Sequence, residues 1–281
     1  MAFAPKTVKV IKRIDGLFYH PSFLKKDQKK IFFNYFKSLN PIFEMRYSKN
    51  NPPPEGDYQR QLLRPVYWLG NWQFACLNYY HPPEGILHRC LLAEKFPPFM
   101  QEIVHTIEAI ARSHFNKKDI PKKWHLNTCL INFYGSHFQD GKKIDCARVG
   151  EHKDFEPGPV ASISFGERAF FQFVGGNNKL KKNIHYEQWL DDCSLLVFGG
   201  QTFKEKTFHR VQRVESKNPP LDIAIDQFET RRINLTFRYV PVEHIYKLDE
   251  LPMEKREDIQ TYLEMLATHS DYYKKMLITE D

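Results

Sequence analysis

Three short patterns in this chain carry side chains that could do chemistry together. The first is His152-Lys153-Asp154. Residues two apart on an extended strand face the same side, so the imidazole and the carboxylate would aim together while Lys153 points away. That is half of a metal site. A second such triplet, His269-Ser270-Asp271, falls in a stretch that reads as helix. There, positions i and i+2 diverge by about 200°, so it cannot chelate one ion in the same way.

Two histidines and one carboxylate on one face of an ion leave three positions open for a bidentate oxoacid and O2. The chain has twelve histidines. Two follow the first motif closely enough to weigh: His185, in Asn-Ile-His-Tyr-Glu, and His209, in a strand-like Phe-His-Arg-Val run after Gly199-Gly200. A single histidine is more often a surface or core residue than a ligand. The third pattern narrows the chemistry. In Arg232-Ile-Asn-Leu-Thr-Phe-Arg238, strict alternation puts Arg232, Asn234, Thr236 and Arg238 on one face and Ile233, Leu235 and Phe237 on the other. An edge strand with a wet face would look the same, but two arginines flanking Asn and Thr also make a row of donors suited to a dicarboxylate. A zinc hydrolase could use the same three ligands, yet it leaves this row unexplained.

Elements to hold these residues are legible in the hydrophobic pattern. Residues 8–19 read as strand, and 24–39 as an amphipathic helix with Ile31, Phe32, Tyr35 and Phe36 on its apolar side. Residues 50–57 contain three successive prolines and must be loop. Residues 99–115 form a helix with prolines at its start, where they are tolerated. Short strand-like runs follow at 128–134, 160–165, 169–174, 184–189, 195–198, 208–214 and 232–240, separated by turns such as Gly175-Gly176-Asn177-Asn178. That succession indicates a sandwich or barrel. Residues 251–277 read as one C-terminal helix. The segment 58–82 is dense in rings (Tyr58, Tyr67, Trp68, Trp72, Phe74, Tyr79, Tyr80) interleaved with Arg60 and Arg64. It is either core strand or a stacking surface for bases with arginines for phosphate.

Bulk properties fit this picture. The 281 residues suffice for one domain, and 42% hydrophobic with 15% aromatic content argues against disorder. A formal charge of +7 favours an anionic partner such as nucleic acid. The five cysteines (Cys76, Cys90, Cys129, Cys146, Cys193) form no C-x-x-C pair and read as reduced, buried thiols. No apolar run is long enough for a membrane span, and no signal-peptide pattern opens the chain, so a cytoplasmic protein is expected.

The order of H-x-D, a distal histidine and R-x-N-x-T-x-R resembles the AlkB family of Fe(II)/2-oxoglutarate-dependent dioxygenases over roughly residues 58–240. Asn132 and Tyr134 match that family's upstream N-x-Y, and Pro159 to Gly166 resembles its strand after the H-x-D turn. The resemblance implies an α+β fold: a double-stranded β-helix (jelly-roll) core over 126–240, backed by helices. A nucleotide-recognition-like segment would lie within 1–125 and a helical extension over 241–281, all in one catalytic domain. It implies iron held by His152, Asp154 and His209, and 2-oxoglutarate held by Asn132, Tyr134, Arg232, Asn234 and Arg238. Arg232 would take the distal carboxylate, and Arg238 would lie near the carboxylate beside the keto group. Substrate contacts would come from Arg64, Tyr67 and Trp68 in the recognition segment and from Glu156.

The implied activity is oxidative demethylation of N-alkylated bases in DNA or RNA by a monomeric DNA-repair-type enzyme, cytoplasmic or, in a eukaryote, nuclear. Formaldehyde, succinate and CO2 would be released. Alternatives are an AlkB-like enzyme acting on a protein or a modified tRNA base, or a nucleic-acid-binding module without turnover. Two spacings depart from the family: the linker from Tyr134 to His152 is long and charged, and that from Asp154 to Pro159 is short.

Overall fold

The computed structural model describes residues 14–46, 60–61, 64–73, 90–175, 183–212 and 219–278. The expected strand residues 8–13 and 213–214, the proline loop, Tyr58, Phe74, Cys76, Tyr79, Tyr80 and Gly176 to Asn178 lie outside these. Ten strands build the site: β1 (Leu17–His20), β2 (Val66–Leu69), β3 (Thr128–Gln139), β4 (Val149–His152), β5 (Val160–Gly166), β6 (Ala169–Gly175), β7 (Asn183–Leu190), β8 (Leu195–Phe198), β9 (Phe208–Gln212) and β10 (Phe228–Arg238). Their pairings are all antiparallel. They make a larger sheet in the order β1-β8-β5-β10-β3-β2 and a smaller one in the order β7-β6-β9-β4. This interleaving of strands distant in sequence is a jelly roll, and with its helices the fold is α+β.

The strand carrying the two arginines sits in the middle of the larger sheet. Residues 232–237 of β10 pair with β5 on one side, and residues 232–238 with β3 on the other. Its polar face is therefore buried rather than a wet edge. Ile233, Leu235 and Phe237 are fully buried on the opposite face with Ile131, Phe133, Ile163 and Phe165. Helices α1 (Lys26–Ser38) and α2 (Pro98–His114) cover that face. Phe32 and Phe36 of α1 meet Phe165 with ring centroids 5.1 and 5.2 Å apart. Burying each such ring stabilises the fold by about 1.5–3 kcal/mol. Between the sheets, Val160, Phe171, Phe173, Leu196, Phe198 and Val211 form a second apolar cluster.

Two sequence expectations change. The charged linker after Tyr134 is largely a hairpin: β3 runs on to Gln139, turns at Asp140 (φ 50°) and Gly141 (φ 71°), and returns through Lys142–Asp145. The Asp-Gly pair is the turn signal, since both residues adopt positive φ cheaply. The C-terminal helix is two helices, α3 (Met253–Ala267) and α4 (Asp271–Ile278). Ser270 begins the second: its hydroxyl donates to the Glu94 carboxylate and accepts from the Tyr273 amide at 3.4 Å. His269-Ser270-Asp271 thus lies at a helix break rather than inside a helix, and Asp271 faces Lys274 at 3.6 Å.

Candidate metal and dicarboxylate site

Antiparallel pairing of β4 with β9 sets His152 directly across from His209. Asp154 follows on the same segment, and the three residues each offer a ligand atom within 4.8 Å of the others. Among the described residues no other such group occurs. His185 is on β7, where its ring packs over Gly175, so that a Cβ there would stand 2.4 Å from its Nε2. It is not in the cluster.

Each member is fixed by a neighbour. His152 Nδ1 lies 2.8 Å from the Gly150 carbonyl, which fixes the proton on Nδ1 and leaves the Nε2 lone pair available. His209 stacks on Phe171 (centroids 5.5 Å, 17° between planes) and lies against Phe198 at 5.1 Å. Asp154 Oδ1 accepts from Arg238 Nε at 2.8 Å, while its buried Oδ2 has no hydrogen-bond partner and stands 3.5 Å from His209 Nε2. Burial lowers the His209 pKa to about 3, with His152 adding to the effect and Asp154 opposing it. Burial likewise lowers that of His152. For Asp154 burial favours the neutral acid, but the Arg238 guanidinium outweighs it and holds the carboxyl below its usual range. Two neutral imidazoles and an ionised carboxylate are the protonation states a divalent cation needs. An orphaned carboxylate oxygen facing them is costly unless a cation satisfies it. Two nitrogens and one oxygen on one side match the facial set that suits Fe(II), so these residues fit the metal.

A cavity of about 140 Å³ runs from this cluster along the inner face of the larger sheet. Asn132, Tyr134, Asn234, Thr236 and Arg238 line it, brought into line by the pairing of β10 with β3. Arg238 is held between Asp154 and Glu156, its Nε 3.7 Å from the Glu156 carboxylate. Asn234 is wholly engaged: Nδ2 donates to Ser162 Oγ (2.7 Å) and the Ile163 carbonyl (3.0 Å), and Oδ1 accepts from Thr236 Oγ1 (2.9 Å). Its amide locks the row together. Arg232 is deeper, its guanidinium carbon 4.9 Å from the Tyr134 ring centroid. Nη2 donates to Ser164 Oγ at 3.1 Å, while Nε and Nη1 are buried with no partner. Buried guanidinium donors left open suit a carboxylate.

The residues expected to meet substrate are divided. Trp68 and Arg64 line the cavity, and Glu156 lies at its edge, 2% exposed. Tyr67 does not reach it, because its neighbour Trp68 occupies the inner face; the Tyr67 hydroxyl donates to Glu94 at 2.7 Å instead. Trp72 is also core, its indole N–H sharing Glu44 Oε1 with that of Trp68, both at 2.7 Å. The described rings of the 66–72 segment are therefore packed, not a solvent-facing stack.

Lys204 was not legible as a site residue. It lies in the short π-helix Gln201–Lys206 after β8, donates to the Gly158 carbonyl at 2.8 Å, and has its pKa lowered by burial, opposed by Asp154 and Glu156. Phe171 and Phe198, which wall His209, also carry no local signal, because only sheet packing places them there.

A family model described as the 2OG-Fe(II) oxygenase superfamily matches residues 16–238. No curated protein matches the chain. Among solved structures it is similar to one described as the structure of OsALKBH1 (21% identity, 80% of this chain and 99% of that one, TM-score 0.46). It is also similar to full-length Neurospora crassa T7H in complex with alpha-KG (10% identity, 89% and 86%, TM-score 0.43). A third is YcfD, a ribosomal oxygenase from Escherichia coli (12% identity, 63% and 46%, TM-score 0.27), of which the chain spans less than half. All three overlaps are loose.

Proposed function

Because the chain belongs to the 2OG-Fe(II) oxygenase superfamily, we propose that this dioxygenase is AlkB-like and removes methyl groups oxidatively from N-alkylated bases in DNA or RNA. The cofactors are Fe(II), 2-oxoglutarate and O2. His152, Asp154 and His209 would hold the metal. Arg232 with Tyr134 would take the distal carboxylate of 2-oxoglutarate, and Asn132 and Arg238 would serve the end nearer the metal. When bound, iron with 2-oxoglutarate and O2 supplies an oxidant able to hydroxylate a C–H bond, with succinate and CO2 as co-products.

The chain's own residues do the rest. Arg238 keeps Asp154 ionised and aimed, and Gly150 keeps the His152 ring in one tautomer. Phe171 and Phe198 wall His209 off from water. A hydroxylated N-methyl group leaves as formaldehyde and returns the unmodified base.

The rim of the cavity is the observation that carries the substrate class. Phe155, next to Asp154, lines the cavity and remains 44% exposed, with Lys153 at the same rim. An exposed ring near a cation suits a splayed base and its phosphate. A base in a duplex would have to be flipped out, at a cost of about a few kcal/mol. The test is formaldehyde release and loss of one methyl mass from methylated single- and double-stranded oligonucleotides, with Fe(II) and 2-oxoglutarate supplied. Succinate formation without demethylation of any of them would keep the enzyme class and overturn the substrate.

A further inference from the structure

Arg64, two residues before β2, stands beside Tyr134 of β3, which in turn stands beside Arg232 of β10. β2 adds to β3 with Val66 opposite Asn132, and the Pro65 carbonyl accepts from the Phe133 amide at 3.1 Å. That register carries Arg64 up to Tyr134, which itself pairs with Arg232. The guanidinium carbons of Arg64 and Arg232 lie 5.4 and 4.9 Å from the Tyr134 ring centroid. Arg64 Nε also donates to Asn132 Oδ1 at 3.2 Å.

Tyr134 and the more distant Glu167 only partly offset the charge of Arg232. Arg238 has Asp154 and Glu156, and Arg231 has Asp145 and Glu167. Among the described residues no carboxylate stands within ion-pair distance of Arg64 or Arg232. Two cations against one ring repel each other in a partly desolvated space unless an anion joins them. Arg64 faces the cavity, and Arg232 keeps two donors open beneath it.

We propose that Arg64 is a second arm of the seat for the distal carboxylate of 2-oxoglutarate, acting with Arg232 across the Tyr134 ring. This rests on the reading that Asn132, Tyr134 and Arg232 form the cosubstrate seat. It moves Arg64 from the nucleotide side of the reaction to the cosubstrate side. Two guanidinium groups also make the seat selective, since a 2-oxo acid without the distal carboxylate leaves both unpaired.

The experiment is calorimetric binding to the Mn(II)-loaded protein without O2, using 2-oxoglutarate and, as the probe without a distal carboxylate, 2-oxobutyrate. Arg64→Ala should raise the Kd for 2-oxoglutarate about tenfold or more, the loss of one charge-assisted contact. Arg64→Lys, which keeps charge but not the planar fork, should fall between. The Kd for 2-oxobutyrate should stay within about twofold, since the contact removed is one it cannot make. The thermal shift given by Mn(II) alone should match the unsubstituted protein, and Arg64→Gln replaces Arg64→Ala if the latter fails to fold. A 2-oxoglutarate Kd within about twofold in Arg64→Ala would overturn the proposal, as would a KM increase confined to the oligonucleotide, which would return Arg64 to substrate binding. Equal loss of both 2-oxo acids would also overturn it. Arg232→Met separates the two readings: if it leaves 2-oxoglutarate binding intact the seat itself is misplaced, whereas if it abolishes binding and Arg64→Ala does not, only the second arm fails.

Discussion

His152 and His209 face each other across two antiparallel strands, with ring centroids 4.2 Å apart and the unpaired Asp154 Oδ2 3.5 Å from His209 Nε2. The three groups share one small volume, so each should be needed for metal uptake. Added Mn(II) or Co(II) should raise the Tm of the protein by mass action, since the folded site binds and the unfolded chain does not. His209→Ala and Asp154→Asn should abolish that shift. His185→Ala should retain it, and a lost shift in His185→Ala with a retained one in His209→Ala would show that the distal ligand has been misassigned.

Arg232 presents the opposite balance of stability and function. It is 4% exposed, with two N–H groups unpaired, so its charge is a burden on the fold without a bound anion. Arg232→Met, close in length and able to fill the space, should leave the metal-free protein as stable or more stable by about 1–4 kcal/mol in urea unfolding. The same variant should lose 2-oxoglutarate affinity by at least tenfold, on the order of 1.5–3 kcal/mol for a hydrogen bond to a charged group. A destabilised variant would mean that Arg232 is paired in a way that the open donors do not suggest.

The pairing that lines up the row depends on one glycine. Between Thr230 and Arg232 the register of β10 against β3 shifts, with Arg231 as the extra residue. Opposite the bulge, a Cβ on Gly135 would stand 1.8 Å from the Glu229 carbonyl oxygen. Gly135→Ala must therefore push two backbones apart, and a loss of about 2–4 kcal/mol in urea unfolding is expected. Because Tyr134 and Arg232 are next to the bulge, 2-oxoglutarate affinity should fall as well; unchanged stability would show that the strands can shift without cost.

What the sequence made legible here follows from period. Alternation in Arg232 to Arg238 assigned both faces of β10 correctly, and the H-x-D at His152 joins the ligand cluster while the one at His269 does not, although the helix that set the latter apart is broken there. The helix break at Ser270 was not legible, since the Ser270 to Glu94 contact joins residues far apart in the chain. The same holds for Phe171, Phe198 and Lys204, whose places around the site come from sheet packing. Tyr67 and Trp72 illustrate the limit in the other direction: a ring-rich segment looks alike whether it stacks on bases or on its own core, and only Glu44 and Glu94, from other elements, decide which.

The rim offers a test on substrate alone. Phe155 lines the cavity and is 44% exposed. Replacing this ring by alanine should raise the KM for a methylated single-stranded oligonucleotide about fivefold to a hundredfold, given about 1–3 kcal/mol per stacked base. Binding of 2-oxoglutarate to the Mn(II) form should not change. An oligonucleotide KM that stays put while other kinetic constants hold would remove this ring from the substrate path.

Glu44 anchors the wall that Trp68 presents to the cavity. It is 1% exposed, and its Oε1 accepts from the indole N–H groups of both Trp68 and Trp72. Glu44→Ala leaves two buried donors without that acceptor, at about 1–3 kcal/mol each, so a combined loss of roughly 2–6 kcal/mol is expected. Glu44→Gln keeps an acceptor oxygen in the same place and loses only the charge assistance, so it should recover most of that stability. Urea unfolding followed by tryptophan fluorescence reports both the stability and the environment of the two indoles. If Glu44→Ala and Glu44→Gln are equally stable, the shared carboxylate is not what holds Trp68 against the cavity, and its position must come from the apolar packing of Ile42, Val66 and Leu266 around it.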